Sequence, residues 1–140
     1  MTNGRGSSGY TPLRLRPVGI IRSTLKARKN APRQGFEGAP DAWLEVRRWA
    51  AKGLHLLQQG DEIIVITWLH RGKRDVMQVH PRGDLRNPLT GVFATRSPDR
   101  PNPLGLHTVS VRAIEGRRLR IGPIEAIDGT PVVDIKPVLP

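Results

Sequence analysis

The sequence predicts a mostly β fold (β-rich α+β), an antiparallel barrel or sandwich with one short helix. Three observations carry this. Thirteen prolines and fifteen glycines cut the 140 residues into short segments, which disfavours a helical bundle. Ile63-Ile64-Val65-Ile66-Thr67-Trp68-Leu69 is a continuous run rich in β-branched residues, as a central strand requires. After Leu106 the apolar residues alternate and the breaks fall at Gly116 and at Asp128-Gly129, both natural hairpin turns. A chain of this length makes one domain.

Taken in order, residues 1–12 are rich in glycine and serine and form a flexible N-terminal tail, leaving 13–140 as the folded domain. Leu13 to Ser23 alternates apolar and basic residues and contains Val18-Gly19-Ile20-Ile21, a strand. Trp43 to Leu57 carries apolar residues at helical spacing, but Gly53 weakens a helix. The reading adopted is a short strand at Trp43–Val46 and a helix near Arg48 to Gln58. Gly60 and Asp61 turn the chain into the run from Glu62 to Leu69. His70 to Asp75 is a turn and Val76 to Val79 a short or edge strand. Val92-Phe93-Ala94 reads as a buried strand. Leu106 to Glu115, Leu119 to Ile127 and Val132 to Val138 complete about six meandering strands.

The charge is strongly one-sided. Twenty-three basic residues stand against twelve acidic ones, a net +11, and eighteen of the basic residues are arginine. Arginine grips phosphate with two parallel hydrogen bonds and stacks on bases, so RNA or DNA is the natural partner, although a genome that favours arginine would raise the count too. There is no cysteine, hence no disulfide and no thiolate nucleophile. Histidines at 55, 70, 80 and 107 show no close pairing, so no metal site is expected. No apolar run is long enough to span a membrane or serve as a signal peptide, and a cytoplasmic protein is expected. No P-loop or G-x-G-x-x-G is present, nor a serine nucleophile elbow.

Four loops have the composition of a site: Pro32-Arg33-Gln34; His70-Arg71, directly after the central strand; Arg96 to Asn102; and Asp128-Gly129-Thr130-Pro131 with Asp134 and Lys136 beyond. In the third, Pro98, Pro101 and Pro103 push Ser97, Arg100 and Asn102 toward extended geometry, making a stiff loop expected to hold Arg96, Asp99, Arg100 and Asn102 outward. Asp-Gly is an ordinary tight turn, and Asp134 with Lys136 reads as an ion pair on one strand face. From the residues alone, the chain is basic, β-rich and ligand-binding.

The stretch Gly91-Val-Phe-Ala-Thr-Arg-Ser-Pro-Asp-Arg-Pro-Asn-Pro-Leu-Gly-Leu106 resembles the signature of the TsaA-like, or TrmO, family. Gly19-Ile-Ile-Arg-Ser23, Ala31-Pro-Arg-Gln34 and Ile127-Asp-Gly-Thr-Pro-Val-Val-Asp-Ile-Lys-Pro-Val-Leu-Pro140 resemble its other motifs, in the same order. The resemblance covers about Val18 to Pro140. It implies a single antiparallel β-barrel domain that binds S-adenosyl-L-methionine, acts as a homodimer, and methylates N6 of threonylcarbamoyladenosine beside the tRNA anticodon. The family's cofactor motifs map onto Pro32, Arg33, Gln34, His70, Arg71, Arg96, Leu106, Asp128, Gly129, Thr130 and Pro131. Arg33 or Arg96 would pair with the methionyl carboxylate, Asp128 would accept from the cofactor's amine or ribose, and main-chain groups of the Asp-Gly-Thr-Pro turn would read the adenine. Arg100 and Asn102 would face RNA. Candidate bases are His70 and Asp99. The alternative is a cofactor-binding, RNA-associated or regulatory protein without methyl transfer. Two departures from the family stand out. His70-Arg71 replaces His-Gln, and longer members carry a further C-terminal domain, so a short form is expected to need another partner for tRNA or a different substrate.

Overall fold

The computed structural model describes residues 11–140; the tail expected over residues 1–12 lies outside the described residues except for Thr11 and Pro12, which are exposed. Six strands close an antiparallel barrel: β1 (Gly19–Arg22), β2 (Ala42–Val46), β3 (Glu62–Trp68), β6 (Leu104–Glu115), β7 (Arg118–Gly122) and β8 (Pro131–Pro137). Around the barrel the order is β1, β2, β7, β6, β3, β8, and β8 returns to β1 through Gly19–Val132 and Ile20–Pro131. Two short strands, β4 (Gln78–Val79) and β5 (Thr90–Gly91), pair outside it. The barrel expected from the sequence is the fold observed.

Alternation decides which side chains fill it. Ile21, Leu44, Ile63, Val65, Leu119, Ile121 and Val132 are fully or almost fully buried, and Ile124 from the β7–β8 connection plugs the interior. Each such side chain contributes about 1.5–3 kcal/mol by leaving water. The β-branched run of β3 proves to be two-faced: Ile63, Val65 and Thr67 point inward, while Ile64, Ile66 and Trp68 are half-buried on the outer face. Register shifts lie between Ile66 and Thr67 against β8 and between Val111 and Ala113 against β7. Such bulges let strands bend enough to close a small barrel.

Three expectations need correction. The helix near Arg48–Gln58 is a 3-10 helix over Arg48–Leu54 with no side-chain cap and no buried residue; a segment with Gly53 inside it and little apolar surface to bury lacks what stabilises an α-helix. Val92–Ala94 is a 3-10 turn. Val92 is buried, but Phe93 is 79% exposed, because every barrel edge is already paired and the turn is closed by Thr95 donating through both N–H and Oγ1 to the Val92 carbonyl (each 3.0 Å). The expected strand over Leu119–Ile127 ends at Gly122.

Because the barrel is antiparallel, its connections sort to two ends. One end carries the β1–β2 loop (23–41), the whole passage from β3 to β6 (69–103) and the β7–β8 loop (123–130). The other carries only the β2–β3 connection and the Glu115–Arg118 hairpin. All four loops of site-like composition therefore meet at one rim.

Candidate functional site

The rim is built on the proline loop. Small hydroxyls organise it from within: Thr95 Oγ1 accepts from Ser97 N–H (3.1 Å) and Ser97 Oγ from Asp99 N–H (3.2 Å), the local side-chain bonds that favour turns over strands. Asp99 then bolts it to its neighbours. Its Oδ1 accepts from Lys73 N–H (2.8 Å) and lies 3.1 Å from Arg28 Nη1, while Arg28 also donates to the Arg71 carbonyl (2.9 Å). Three loops are thus tied through one carboxylate. Gly72 allows this closeness, since a Cβ there would collide with the Pro98 carbonyl.

The outward display expected of this loop is correct for some residues and not for others. Arg96 and Asn102 are exposed, and Asn102 Oδ1 accepts from Arg74 Nη2 (3.2 Å). Arg100 instead folds back, donating to the Thr95 and Ser97 carbonyls (3.0 and 3.3 Å). Its half-buried guanidinium is a strut. Asp99 is likewise a strut: partial burial pushes its carboxyl up, but the Lys73 N–H and Arg28 outweigh this and hold it below the ordinary range. A carboxylate held that way is a poor proton acceptor.

Around this loop stand the other candidates. Pro32 and Gln34 are half-buried and Arg33 is exposed; the Arg33 guanidinium lies against Gly83, 3.5 Å from where a Cβ would be. His70 and Arg71 are exposed at the end of β3. Partial desolvation, helped by the Arg71 charge, lowers the His70 pKa, which leaves its imidazole neutral at physiological pH. Among the described residues, Arg33, Arg71 and Arg96 form no ion pair.

Asp128 and its turn close the rim on the β8 side. Gly129 sits at φ +84°, the left-handed geometry an Asp-Gly turn needs. Asp128 Oδ1 accepts from Ser23 N–H (3.0 Å) and Oδ2 lies 3.3 Å from Lys26 Nζ; the Ser23 bond first, then Lys26, lowers its pKa. The N–H groups of Asp128, Gly129 and Thr130 are all engaged, by Leu25, Ile21 and Ile127 carbonyls, so a ligand at this turn meets carbonyl oxygens. Pro131 starts β8 half-buried. Leu106 stands apart: it is 47% exposed on the outer face of β6, opposite Ile66. Asp134 and Lys136 pair as expected (3.3 Å).

Sequence reasoning passed over one group beneath the rim. His107 is buried on β6, hydrogen-bonded through Nδ1 with Glu125 Oε1 and through Nε2 with the Thr67 hydroxyl, both at 2.7 Å. A lone histidine between Leu106 and Thr108 gave no signal of this. Gly105 did: a Cβ there would stand 2.6 Å from Thr67 Oγ1 and 2.8 Å from His107 Nε2, so the glycine of the Pro-Leu-Gly-Leu run is needed for the network to form.

No cluster of metal-ligating side chains occurs among the described residues, and no helix of the structure is long and apolar enough to cross a membrane. The fold and rim define a small closed β-barrel with a cationic, multi-loop surface at one end. Comparison with known proteins narrows the class: residues 20–140 match the tRNA-methyltransferase O N-terminal domain, and the chain belongs to that family. It is 39% identical over 126 residues to an S-adenosyl-L-methionine-binding protein of Archaeoglobus fulgidus, covering 90% of this chain and 89% of the relative. It is 51% identical over 89 residues to a probable S-adenosyl-L-methionine-binding protein of Methanocaldococcus jannaschii, covering 61% and 71%. A crystal structure of TrmO from Pseudomonas aeruginosa superposes with a TM-score of 0.74 at 31% identity, covering 93% of this chain and 57% of that one. The chain therefore spans less than two thirds of the solved TrmO chain it matches.

Proposed function

We propose that the protein is an S-adenosyl-L-methionine-dependent methyltransferase that modifies N6 of threonylcarbamoyladenosine in tRNA, acting as a homodimer in the cytoplasm. The observation that carries the reading is the convergence at one rim of Arg33, Arg71 and Arg96, cations without acidic partners among the described residues, within a barrel of the tRNA-methyltransferase O family. The donor set suits the cofactor. An unpaired guanidinium matches its carboxylate, Asp128 offers acceptor oxygens to its amine or ribose, and the carbonyls of the Asp128–Gly129 turn suit an adenine amino group. Lys26 must then share Asp128 with the ligand. Pro32, Gln34, Thr130 and Pro131 shape the walls of this surface, and Leu106 would contribute from the outer face of β6.

When bound, the cofactor supplies an electrophilic methyl group on a sulfonium. A residue of this chain would then have to take up the proton displaced from N6. His70, neutral and exposed beside Arg71, is the better-suited acceptor for that proton; Asp99 is tied to Lys73 and Arg28. Asn102, with Arg74 beside it, is the side chain offered to RNA, and Arg100 shapes the loop that carries it. Positioning supplies most of the rate in an in-line displacement, which is consistent with a rim this heavily cross-braced. Dimerisation is supported by the apolar stripe on the outer wall, where Leu104 pairs with Trp68 and Leu106 with Ile66.

The test is incubation with methyl-labelled cofactor and tRNA with or without the threonylcarbamoyl group. Label on the modified tRNA alone is expected; label on neither, with the cofactor bound, would favour the second reading. That reading, a cofactor-binding protein without methyl transfer, is favoured by one observation: relatives covered along most of their length carry only binding names.

A further inference from the structure

We propose that the outer wall of the barrel, away from the rim, carries a second RNA-binding site: an arginine groove that takes the backbone of a tRNA strand whose target base is at the rim. This rests on the tRNA reading above. An open groove of about 650 Å³ runs along the outside of β1 and β2 and is lined by Arg22, Arg47, Arg48, Arg117 and Trp49. Acidic side chains do not neutralise it. Glu45, which also lines it, is shared between Arg22 (3.4 Å) and Arg118 (3.9 Å), and Asp41 between Arg112 (3.6 Å) and Arg120 (3.9 Å). Among the described residues, Arg47 and Arg48 are exposed and in no ion pair. Arg117 is braced by donating to the Val46 carbonyl (2.8 Å), which holds its charge against the wall.

Aromatic rings are interleaved with these charges. Trp49 is 49% exposed with the Arg16 guanidinium 3.4 Å from its ring centroid, and Arg118 lies 4.2 Å from that of Trp43. Bases stack on such rings while arginines follow phosphates, the combination that distinguishes a nucleic-acid strand from an acidic protein as occupant. The register gives the direction. Arg22 faces Trp43 near the rim, whereas Val46, which Arg47 and Arg48 follow, faces Gly19 at the far end, so a strand held there would follow β1 for about 10 Å, at roughly 3.3 Å per residue, between the far end and the rim.

The experiment measures binding of unmodified tRNA to the full chain and to the Arg47→Ala/Arg48→Ala double variant across a salt series, with cofactor affinity measured in parallel by calorimetry. Both residues are exposed, so the fold is expected to persist, with circular dichroism as the check. The double variant should bind tRNA at least tenfold more weakly at low salt and bind the cofactor as the wild type does. It should also lower the slope of log K against log salt by about two, near 0.9 for each phosphate that is no longer neutralised. Unchanged tRNA affinity and slope would overturn the groove and leave the tRNA reading standing. Competition by polyglutamate as strong as that by tRNA would also overturn it, as the mark of a general polyanion surface. A wild-type protein that binds no tRNA would remove both.

Discussion

At the rim, Arg28, Arg82 and Arg100 are each tied to acid or carbonyl groups of their own or a neighbouring loop, whereas on the wall Arg47 and Arg48 pair with no acid among the described residues. Both regions are rich in arginine, yet only part of the rim's positive charge faces a ligand. The rim is assembled from loops with little strand pairing, only the short β4–β5 pair, and charged side chains cross-brace it where the wall is held chiefly by the barrel's backbone ladder. Counting arginines therefore overstates the rim's capacity for anions. On the wall, Arg22, Arg112, Arg118 and Arg120 share Glu45 and Asp41, while Arg47 and Arg48, just past the end of β2, are left to face solvent or a partner.

Breaking the support beneath the rim should have the largest effect. His107→Leu removes the partner of both Glu125 and Thr67; it should lower unfolding free energy by about 2–6 kcal/mol, at roughly 1–3 kcal/mol per orphaned buried group, measured by urea denaturation. A loss within experimental error would show that the network does not hold the rim. Next, Arg96→Ala should weaken cofactor binding tenfold or more, about 1.4 kcal/mol, with little change in stability. Unchanged affinity by calorimetry would remove Arg96 from the carboxylate.

Asp99→Ala cuts the tie between three rim loops and should cost about 1–2 kcal/mol of stability, with faster hydrogen exchange at the Lys73 amide; exchange at the wild-type rate would contradict the cross-brace. Acid should act in the same place. The carboxyls of Asp99 and Asp128 have lowered pKa values in the folded protein, so their stabilisation is present above the unfolded aspartate pKa, about 4, and is lost as pH falls through the lower folded values. Asp128→Asn should flatten that acid limb, which a pH series of denaturation midpoints would register. The smallest effect belongs to Arg86→Ala. Arg86 lies 2.7 Å from Asp84, but the pair is surface-exposed, and no measurable change in melting temperature is expected. A clear drop would mean that exposed rim pairs matter as much as the Asp99 tie.

Much of this architecture was legible in the residues. The β-branched run at Ile63–Leu69, the alternation after Leu106 and the Asp-Gly turn led to an antiparallel barrel, because strand faces and tight turns are set by local chemistry that a sequence carries. The four loops were recognisable as well, since prolines, hydroxyls and unpaired cations mark turns that hold polar groups. What was not legible depends on closure. Val92–Ala94 has the composition of a strand, and only a barrel with no free edge turns it into a 3-10 turn. Arg100 and Asp99 look as free along the chain as Arg96 and Asn102; Arg100 is turned back by the Thr95 and Ser97 carbonyls of its own folded loop, and Asp99 is taken by Arg28 and Lys73, brought across from elsewhere in the sequence. His107 has no local partner, and its role exists only once β3 lays Thr67 beside it and the β7–β8 loop brings Glu125. The sequence by itself determined the strands, the turns and the excess of arginine. Tertiary structure alone decided which arginines became braces and which stayed open, because that choice depends on contacts between segments that only the closed barrel brings within hydrogen-bonding reach.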